Sequence, residues 1–206
     1  IRRIANSCSL IKLENGHFPE KLKRYFDKIE QSAEYSKGLI DGILDYSKLG
    51  KSNISYERID VNEVLLKIMH NREDELSEVR AEVKFLNLPC VMGDRFRVEQ
   101  VFENLIANSL KFRRNGVAPI IEVFASETCQ GQLNINFKDN GIGFDMEYAE
   151  KIFDPFQRLD DINDKFGSGL GLSICKKILL AHGGDIVAEG ELNEGAKFIM
   201  TFPIKA

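Results

Sequence analysis

The spacing of apolar residues changes once along this 206-residue chain, and that change limits the folds open to it. Between residues 22 and 43 the apolar positions alternate steps of four and three, the heptad pattern of coiled coils and four-helix bundles. Beyond residue 55, short alternating runs typical of strands are interspersed with helical runs. The sequence therefore predicts two regions of different architecture. The heptad positions are Leu22, Phe26, Ile29, Ala33, Ser36, Ile40 and Ile43.

The first region, residues 1–50, is predicted to be a two-helix antiparallel hairpin. A first helical face runs from Ile1 to Ile11, and Asn-Gly at 15–16 followed by Pro19 separates it from the heptad run. A hairpin is half of a four-helix bundle, so we expect a homodimer through these helices. The alternative is that both helices lie on the chain's own globular region. Because the first helix starts without a cap or Met, we expect a fragment of a longer protein.

A polar stretch at 48–55 separates this hairpin from the second region, residues 55–206. Here we expect a helix from Asp60 to about Val79 and another from Arg95 to Phe112, with strand pairs between the helices. Strand pairs interrupted by helices indicate an α+β fold, a two-layer sandwich with helices over one face of a largely antiparallel sheet.

Composition excludes several classes of function. The net charge is −4 with both signs mixed along the chain, which argues against nucleic acid as a partner. No apolar run approaches the roughly 18 residues of a membrane span, so we expect no membrane contact by this fragment. The cysteines at 8, 90, 129 and 175 are too far apart to indicate a zinc site or disulfides. We expect a cytoplasmic fragment, whether or not the parent protein is membrane-anchored.

Three stretches of the second region have residues suited to chemistry. In the predicted helix at 95–112, Asn104, Asn108 and Lys111 share one face. Buried amides without partners are costly, so this polar stripe requires either solvent or a ligand. Taken alone, an exposed polar face is the simpler interpretation.

The second stretch, "FKDNGIGFD", ends a strand at Asp139 and turns sharply at Gly141 and Gly143. By itself it is also typical of a hairpin turn. The third stretch, "KFGSGLGLSI" at 165–174, places alternate glycines before a helix. Backbone N–H groups there suit an anion such as phosphate, although the GxxxxGK[ST] nucleotide motif is absent.

Together and in order, these motifs are more specific. The stretches "NLIANSLKF", "DNGIGF", "FDPF" and "GSGLGLSI" resemble the N, G1, F and G2 boxes of the catalytic ATP-binding domain of sensor histidine kinases, within the gyrase-, Hsp90- and MutL-like ATPases. The resemblance covers nearly all of 55–206. The helices at 1–50 resemble the second part of the dimerisation and phosphotransfer domain of the same kinases.

The resemblance implies an enzyme that binds ATP with Mg²⁺ and phosphorylates a histidine for relay to a response-regulator receiver domain. It assigns the metal to the amide oxygen of Asn108, a catalytic or assisting role to Asn104, and phosphate contacts to Lys111 and Arg158. Asp139 would accept the adenine amino proton. The remaining nucleotide-binding residues would be Phe112, Gly141, Ile142, Gly143, Phe153, Gly167, Ser168, Gly169, Leu170, Gly171 and Leu172.

Some positions depart from the family pattern. Arg113 and Arg114 stand where a small hydroxyl residue is frequent after the N box. The histidines at 17, 70 and 182 lack the acidic and proline flanks of a phospho-accepting histidine. By resemblance, that histidine belongs upstream of Ile1.

Other functions in the same ATP-binding group remain open at this point. In the hydrolytic gyrase branch a Glu precedes the metal-binding Asn by four residues, but here that position is Asn104, which cannot act as a base. A serine kinase is the second enzyme candidate, and it would lack the long heptad helices. A non-catalytic nucleotide-binding scaffold is the third alternative.

Overall fold

The structure is a computed structural model that describes residues 11, 20–48, 55–127, 132–157 and 168–203. The first helix of the predicted hairpin and the segment that follows the second lie outside these residues, apart from Ile11. Among the described residues, no helix combines the length and the apolarity needed to cross a membrane.

The heptad run forms one long helix, α1 (Glu20–Lys48). Four of its large heptad side chains are between 43% and 48% exposed: Leu22, Ile29, Ile40 and Ile43. Near its C-terminal end, α1 lies directly against the second region, because a Cβ atom at Gly42 would come within 2.7 Å of Leu170 Cδ1. The helix therefore leaves much of its apolar face exposed and contacts the second region at a glycine.

The second region has the predicted mixture of helices and strands. In chain order its elements are β1 (Glu57–Asp60), α2 (Val61–Asn71), α3 (Glu73–Glu78), β2 (Glu82–Phe85), β3 (Cys90–Gly93), α4 (Arg95–Lys111), β4 (Ile120–Glu127), β5 (Gln132–Asp139), α5 (Gly171–Ala181), β6 (Asp185–Glu191) and β7 (Gly195–Pro203). Two short 3-10 turns, Met146–Tyr148 and Lys151–Phe153, lie between β5 and α5.

Five strands form the main sheet in the order β2-β4-β5-β7-β6, and β1 pairs with β3 in a separate two-stranded sheet. All neighbours in the main sheet are antiparallel except β2 and β4. Val123, Phe137, Phe198 and Ala188 stand side by side across four strands, and all are buried. They share one core with the apolar faces of α2, α4 and α5. The predicted α+β class is confirmed.

The helix predicted from Asp60 to Val79 is in fact two helices. Asp60 caps the first, since its carboxylate accepts from Asn62 N–H at 2.8 Å. The break falls at Arg72, which has φ −116° and ψ 20° and whose side chain forms ion pairs with Glu75 and Glu103. The shorter α3 then buries Leu76 in the core.

His182 connects the ends of the two helices that carry the main motifs. It is 1% exposed at the end of α5. Its Nδ1 lies 2.7 Å from the Ile178 carbonyl, and its Nε2 accepts a hydrogen bond from Asp94 N–H, at the start of α4, at 3.0 Å. The Nδ1 atom therefore has the proton, and the ring links the C-terminal end of α5 to the N-terminal end of α4.

Replacing His182 by Ala should lower the free energy of unfolding by about 2–4 kcal/mol, because it opens a cavity and leaves a buried N–H without a partner. Urea denaturation measures this change. His70→Ala is the matched control, since the His70 side chain is 84% exposed, and it should change stability by less than about 0.5 kcal/mol. Equal small effects of both substitutions would contradict the linking role of His182.

Candidate nucleotide site

Helix α4 presents the first group of site residues. Its apolar side, with Phe102, Leu105 and Ile106 all below 1% exposed, lies in the core. The opposite side places Asn104, Asn108 and Lys111 in partly exposed positions at the steps of four and three that the sequence predicts. The structure therefore brings this predicted polar stripe to the rim of the core.

The C-terminal end of α4 is fastened to the loop after β5. Phe112 caps the helix by donating its N–H to the Asn108 carbonyl at 2.8 Å, and its own carbonyl accepts from Ile142 N–H at 3.0 Å. The Lys111 Nζ atom lies 4.5 Å from the centre of the Phe112 ring. Phe112 and Ile142, both predicted to line one pocket, are thus neighbours.

Asp139 is a buried carboxylate at the end of β5, 9% exposed. Its Oδ1 accepts from Gly141 N–H at 2.8 Å and Ala196 N–H at 3.4 Å, and its Oδ2 accepts from Ser109 Oγ at 3.1 Å. Burial raises the pKa of Asp139, and the hydrogen bonds from Gly141, Ser109 and Ala196 oppose that rise. Ser109 was not among the predicted site residues, because its position on α4 belongs to the buried face.

The loop at 140–145 can follow its path only with glycine at 143. Gly143 has φ +63°, and a Cβ there would lie 1.9 Å from the Glu191 carbonyl oxygen. The loop is therefore pressed against the β6–β7 hairpin. Asn193 N–H at the tip of that hairpin donates to the Ile142 carbonyl at 2.7 Å.

Arg114 also contacts the tip of the β6–β7 hairpin. Its Nη1 donates to the Asn193 carbonyl at 2.6 Å, so hydrogen bonds run from Arg114 through Asn193 and Ile142 to Phe112. The sequence marked Arg114 only as a departure from a family pattern. In the structure it holds the hairpin tip over the loop, and its partner lies 79 residues away.

The residues that flank positions 158–167 contact each other. Phe156 N–H donates to the Gly169 carbonyl at 2.9 Å. Gly169 has φ +67°, and a Cβ there would lie 2.9 Å from the Gln157 carbonyl oxygen. Phe153 is buried in the core and lies beneath the Lys176 ammonium group, whose Nζ atom is 5.4 Å from the ring centre. The predicted contacts Arg158 and Gly167 lie outside the described residues.

The start of α5 meets α4 at Asn104. The Asn104 Oδ1 atom lies 3.6 Å from where a Cβ at Gly171 would be. Just before the helix, Ser168 Oγ accepts from Leu170 N–H at 3.3 Å. Leu170 is 1% exposed and Leu172 packs partly buried against the core, so their side chains belong to the core and not to a ligand.

These contacts join the N, G1 and G2 stretches into one site, and its donor set fits a nucleotide. A buried carboxylate with hydrogen-bonding capacity left suits an exocyclic amino group. Amide oxygens on α4 beside the start of a helix suit a hard cation and the anion that it accompanies. Glu103, next to Asn104 in sequence, is instead bonded to Arg72 Nε at 2.8 Å.

The family described as histidine kinase-, DNA gyrase B-, and HSP90-like ATPase matches residues 93–206. Cyanobacterial phytochrome A of Nostoc sp. (strain PCC 7120 / SAG 25.82 / UTEX 2576) is 39% identical over 205 residues, 99% of this chain and 26% of that relative. The chain thus spans about a quarter of the length of that phytochrome.

Solved structures share the fold. Full-length ShkA in complex with AMPPNP aligns with a TM-score of 0.71 at 23% identity, over 98% of this chain and 45% of ShkA. Histidine kinase ThkA in complex with response regulator protein TrrA aligns with a TM-score of 0.70 at 24% identity, over 99% of this chain and 58% of ThkA. The chain belongs to the histidine kinase-, DNA gyrase B- and HSP90-like ATPase family, as a nucleotide-binding sensor histidine kinase catalytic domain.

Replacing Arg114 by Ala should weaken ATP binding about 3–10-fold, because it removes one hydrogen bond that holds the Asn193 tip over the site loop. Isothermal titration calorimetry gives the affinity. The neighbouring Arg113→Ala is the matched control, since the Arg113 side chain donates to the Leu110 carbonyl at the end of α4. An Arg114→Ala variant with the ATP affinity of the wild type would remove Arg114 from this role.

Proposed function

We propose that this chain is the catalytic part of a sensor histidine kinase that binds ATP with Mg²⁺ and transfers the γ-phosphoryl group to a histidine of a dimerisation helix upstream of Ile1. A response-regulator aspartate would then receive the phosphoryl group. The observation that carries the proposal is that α4 contacts both the start of α5, through Asn104, and the buried Asp139 carboxylate, through Ser109. We place this reaction in the cytoplasm, where ATP is available.

Asp139 would recognise the adenine amino group, with Phe112, Ile142 and the glycines at 141 and 143 around the base. This role follows from its burial, since a desolvated carboxylate gains from a fitted donor. Asn108 would offer its amide oxygen to Mg²⁺ with Asn104 beside it, and the metal would screen the phosphate charge during transfer.

The phosphate end would lie at the start of α5. The phosphates would contact the Lys111 ammonium group and the backbone around Ser168, Gly169 and Gly171. At that backbone, unpaired N–H groups of a helix start favour an anion. Leu172 would contribute its N–H group, and Leu170 would do so by exchanging its hydrogen bond to Ser168 Oγ for one to a phosphate oxygen. Gly167 and Arg158 would complete the contacts. Phe153 would act through packing, because it is buried in the core and holds residues 154–157, which follow it.

Phosphoryl transfer to a side chain is favoured over hydrolysis by the state of Glu103. Its carboxylate forms an ion pair with Arg72, so it is committed to a structural contact. The position that would hold a base in the hydrolytic branch is Asn104, which cannot take a proton.

The apolar heptad face of α1 supports homodimerisation. Four of its large heptad residues are nearly half exposed in the described part of this chain, which suits a helix that completes a four-helix bundle with a second copy. The ThkA complex with TrrA supports a response regulator as the further partner. The boundaries 1–50 and 55–206 are part of this proposal.

With γ-labelled ATP and Mg²⁺, the chain alone should bind nucleotide and form no phosphohistidine. Positioning contributes about 7–11 kcal/mol to such a transfer, so a misplaced imidazole is no substitute for an oriented one. Adding a dimeric helical hairpin that has the acceptor histidine should yield an acid-labile, alkali-stable phosphoryl group. Phosphoserine on an added protein would favour a serine kinase, and binding with no transfer to any hairpin would favour a scaffold.

ATP should bind roughly 10²–10⁴-fold more tightly than GTP, because the carbonyl oxygen of guanine would oppose the Asp139 carboxylate. Calorimetry with both nucleotides tests this. Asp139→Asn should fold, since an amide there can donate to Ser109 Oγ, and it should lose most of the preference. Equal affinities for ATP and GTP in the wild type would be incompatible with Asp139 as the adenine acceptor.

ATP affinity should also fall as the pH is lowered. Because burial raises the pKa of Asp139, the group takes up a proton at a higher pH than an ordinary aspartate, and a protonated carboxyl group is a poorer acceptor. Affinity is then complete above the raised pKa and is lost as the pH falls through it. The Asp139→Asn variant serves as control and should show a flat profile over the same range; a parallel decline in both proteins would point to another group.

A further inference from the structure

The interface between α4 and α5 contains a thiol that the site described above does not use. Cys175 is fully buried and lies four residues after Gly171, so both residues face α4 from the same side of α5. Its Sγ lies 3.8 Å from the Val101 carbonyl oxygen, to which the thiol donates. Val101 lies three residues before Asn104, which makes these two side chains neighbours on α4.

Asn104 has its two amide ends in different surroundings. Its Oδ1 lies at the start of α5, near Gly171. Its Nδ2 is buried and makes no well-aligned hydrogen bond among the described residues. The Asn104 side chain contacts the Cys175 thiol in this interface. Burial raises the pKa of Cys175 to about 12, and the contact with Asn104 opposes that rise.

We propose that Cys175 is a positioning residue that orients the Asn104 amide, so that its carbonyl oxygen and not its NH₂ group faces the nucleotide. The thiol proton is donated to Val101, which leaves the sulfur as an acceptor for Nδ2. A flipped amide would place its oxygen against that acceptor and aim its NH₂ group at the cation. The inference rests on the proposed Mg²⁺–ATP site, because an oxygen there serves a hard cation.

Cys175→Val keeps the approximate size of the side chain and removes the donor and acceptor. It should reduce the gain in ATP affinity that Mg²⁺ produces by about 3–10-fold, with metal-free affinity changed less than about twofold. Cys175→Ser keeps both hydrogen-bonding functions and should retain the gain. Cys90→Val, which removes a partly exposed thiol in β3, is the control. Calorimetry with and without Mg²⁺ measures the ratio of affinities.

The effect must pass through Asn104. In an Asn104→Ala background, Cys175→Val should produce no further loss of the Mg²⁺ gain. A full Mg²⁺ gain in Cys175→Val would overturn the proposal, because the thiol would then have no effect on that gain. An equal loss of the gain in the Asn104→Ala background would also overturn it, because the thiol would then act by packing alone.

A second measurement needs no nucleotide. In the free protein, the side-chain NH₂ protons of Asn104, identified by their absence in Asn104→Ala, should exchange slowly with water and should exchange faster in Cys175→Val. Equally fast exchange in both would overturn the contact. If ATP fails to bind the wild type while this protection is present, the proposed function fails and the contact between Cys175 and Asn104 stands.

Discussion

The antiparallel packing of α4 on α5 is the contact on which the rest of the structure depends. Three pairs mark its length: Asn104 meets Gly171, Val101 meets Cys175, and Asp94 meets His182. The N-terminal end of α5, the positive end of its dipole, therefore lies beside the amides of α4. The same interface buries much of the core, so its stability and the geometry of the site depend on the same side chains.

Asp139 shows how the domain combines stability with recognition. A carboxylate at 9% exposure costs free energy even with three hydrogen-bond donors around it, and its raised pKa reflects that cost. A fitted amino group from a ligand would recover part of it. The nucleotide-binding side of the domain is thus the place where the fold tolerates a charge that the core alone would not stabilise.

The sequence was most informative where chemistry depends on residues close in the chain. The stripe of Asn104, Asn108 and Lys111, and the glycine turns, could be predicted from spacing and residue type. Partners distant in the chain could not: nothing near Arg114 indicates Asn193, and nothing near Arg72 indicates the ion pair with Glu103 where the predicted helix divides in two. Side chains on buried helix faces, such as Ser109 and Cys175, look like core until their neighbours are known. The predicted hairpin depends on a first helix that lies outside the described residues.

A crystal structure of this chain with Mg²⁺ and a non-hydrolysable ATP analogue tests the nucleotide site directly. The adenine amino group should lie at hydrogen-bond distance from Asp139, and the metal should lie on the Asn108 oxygen with the Asn104 oxygen facing it. The β- and γ-phosphates should lie at the start of α5. A base bound away from Asp139, or a metal held without either asparagine, would rule out the proposed site.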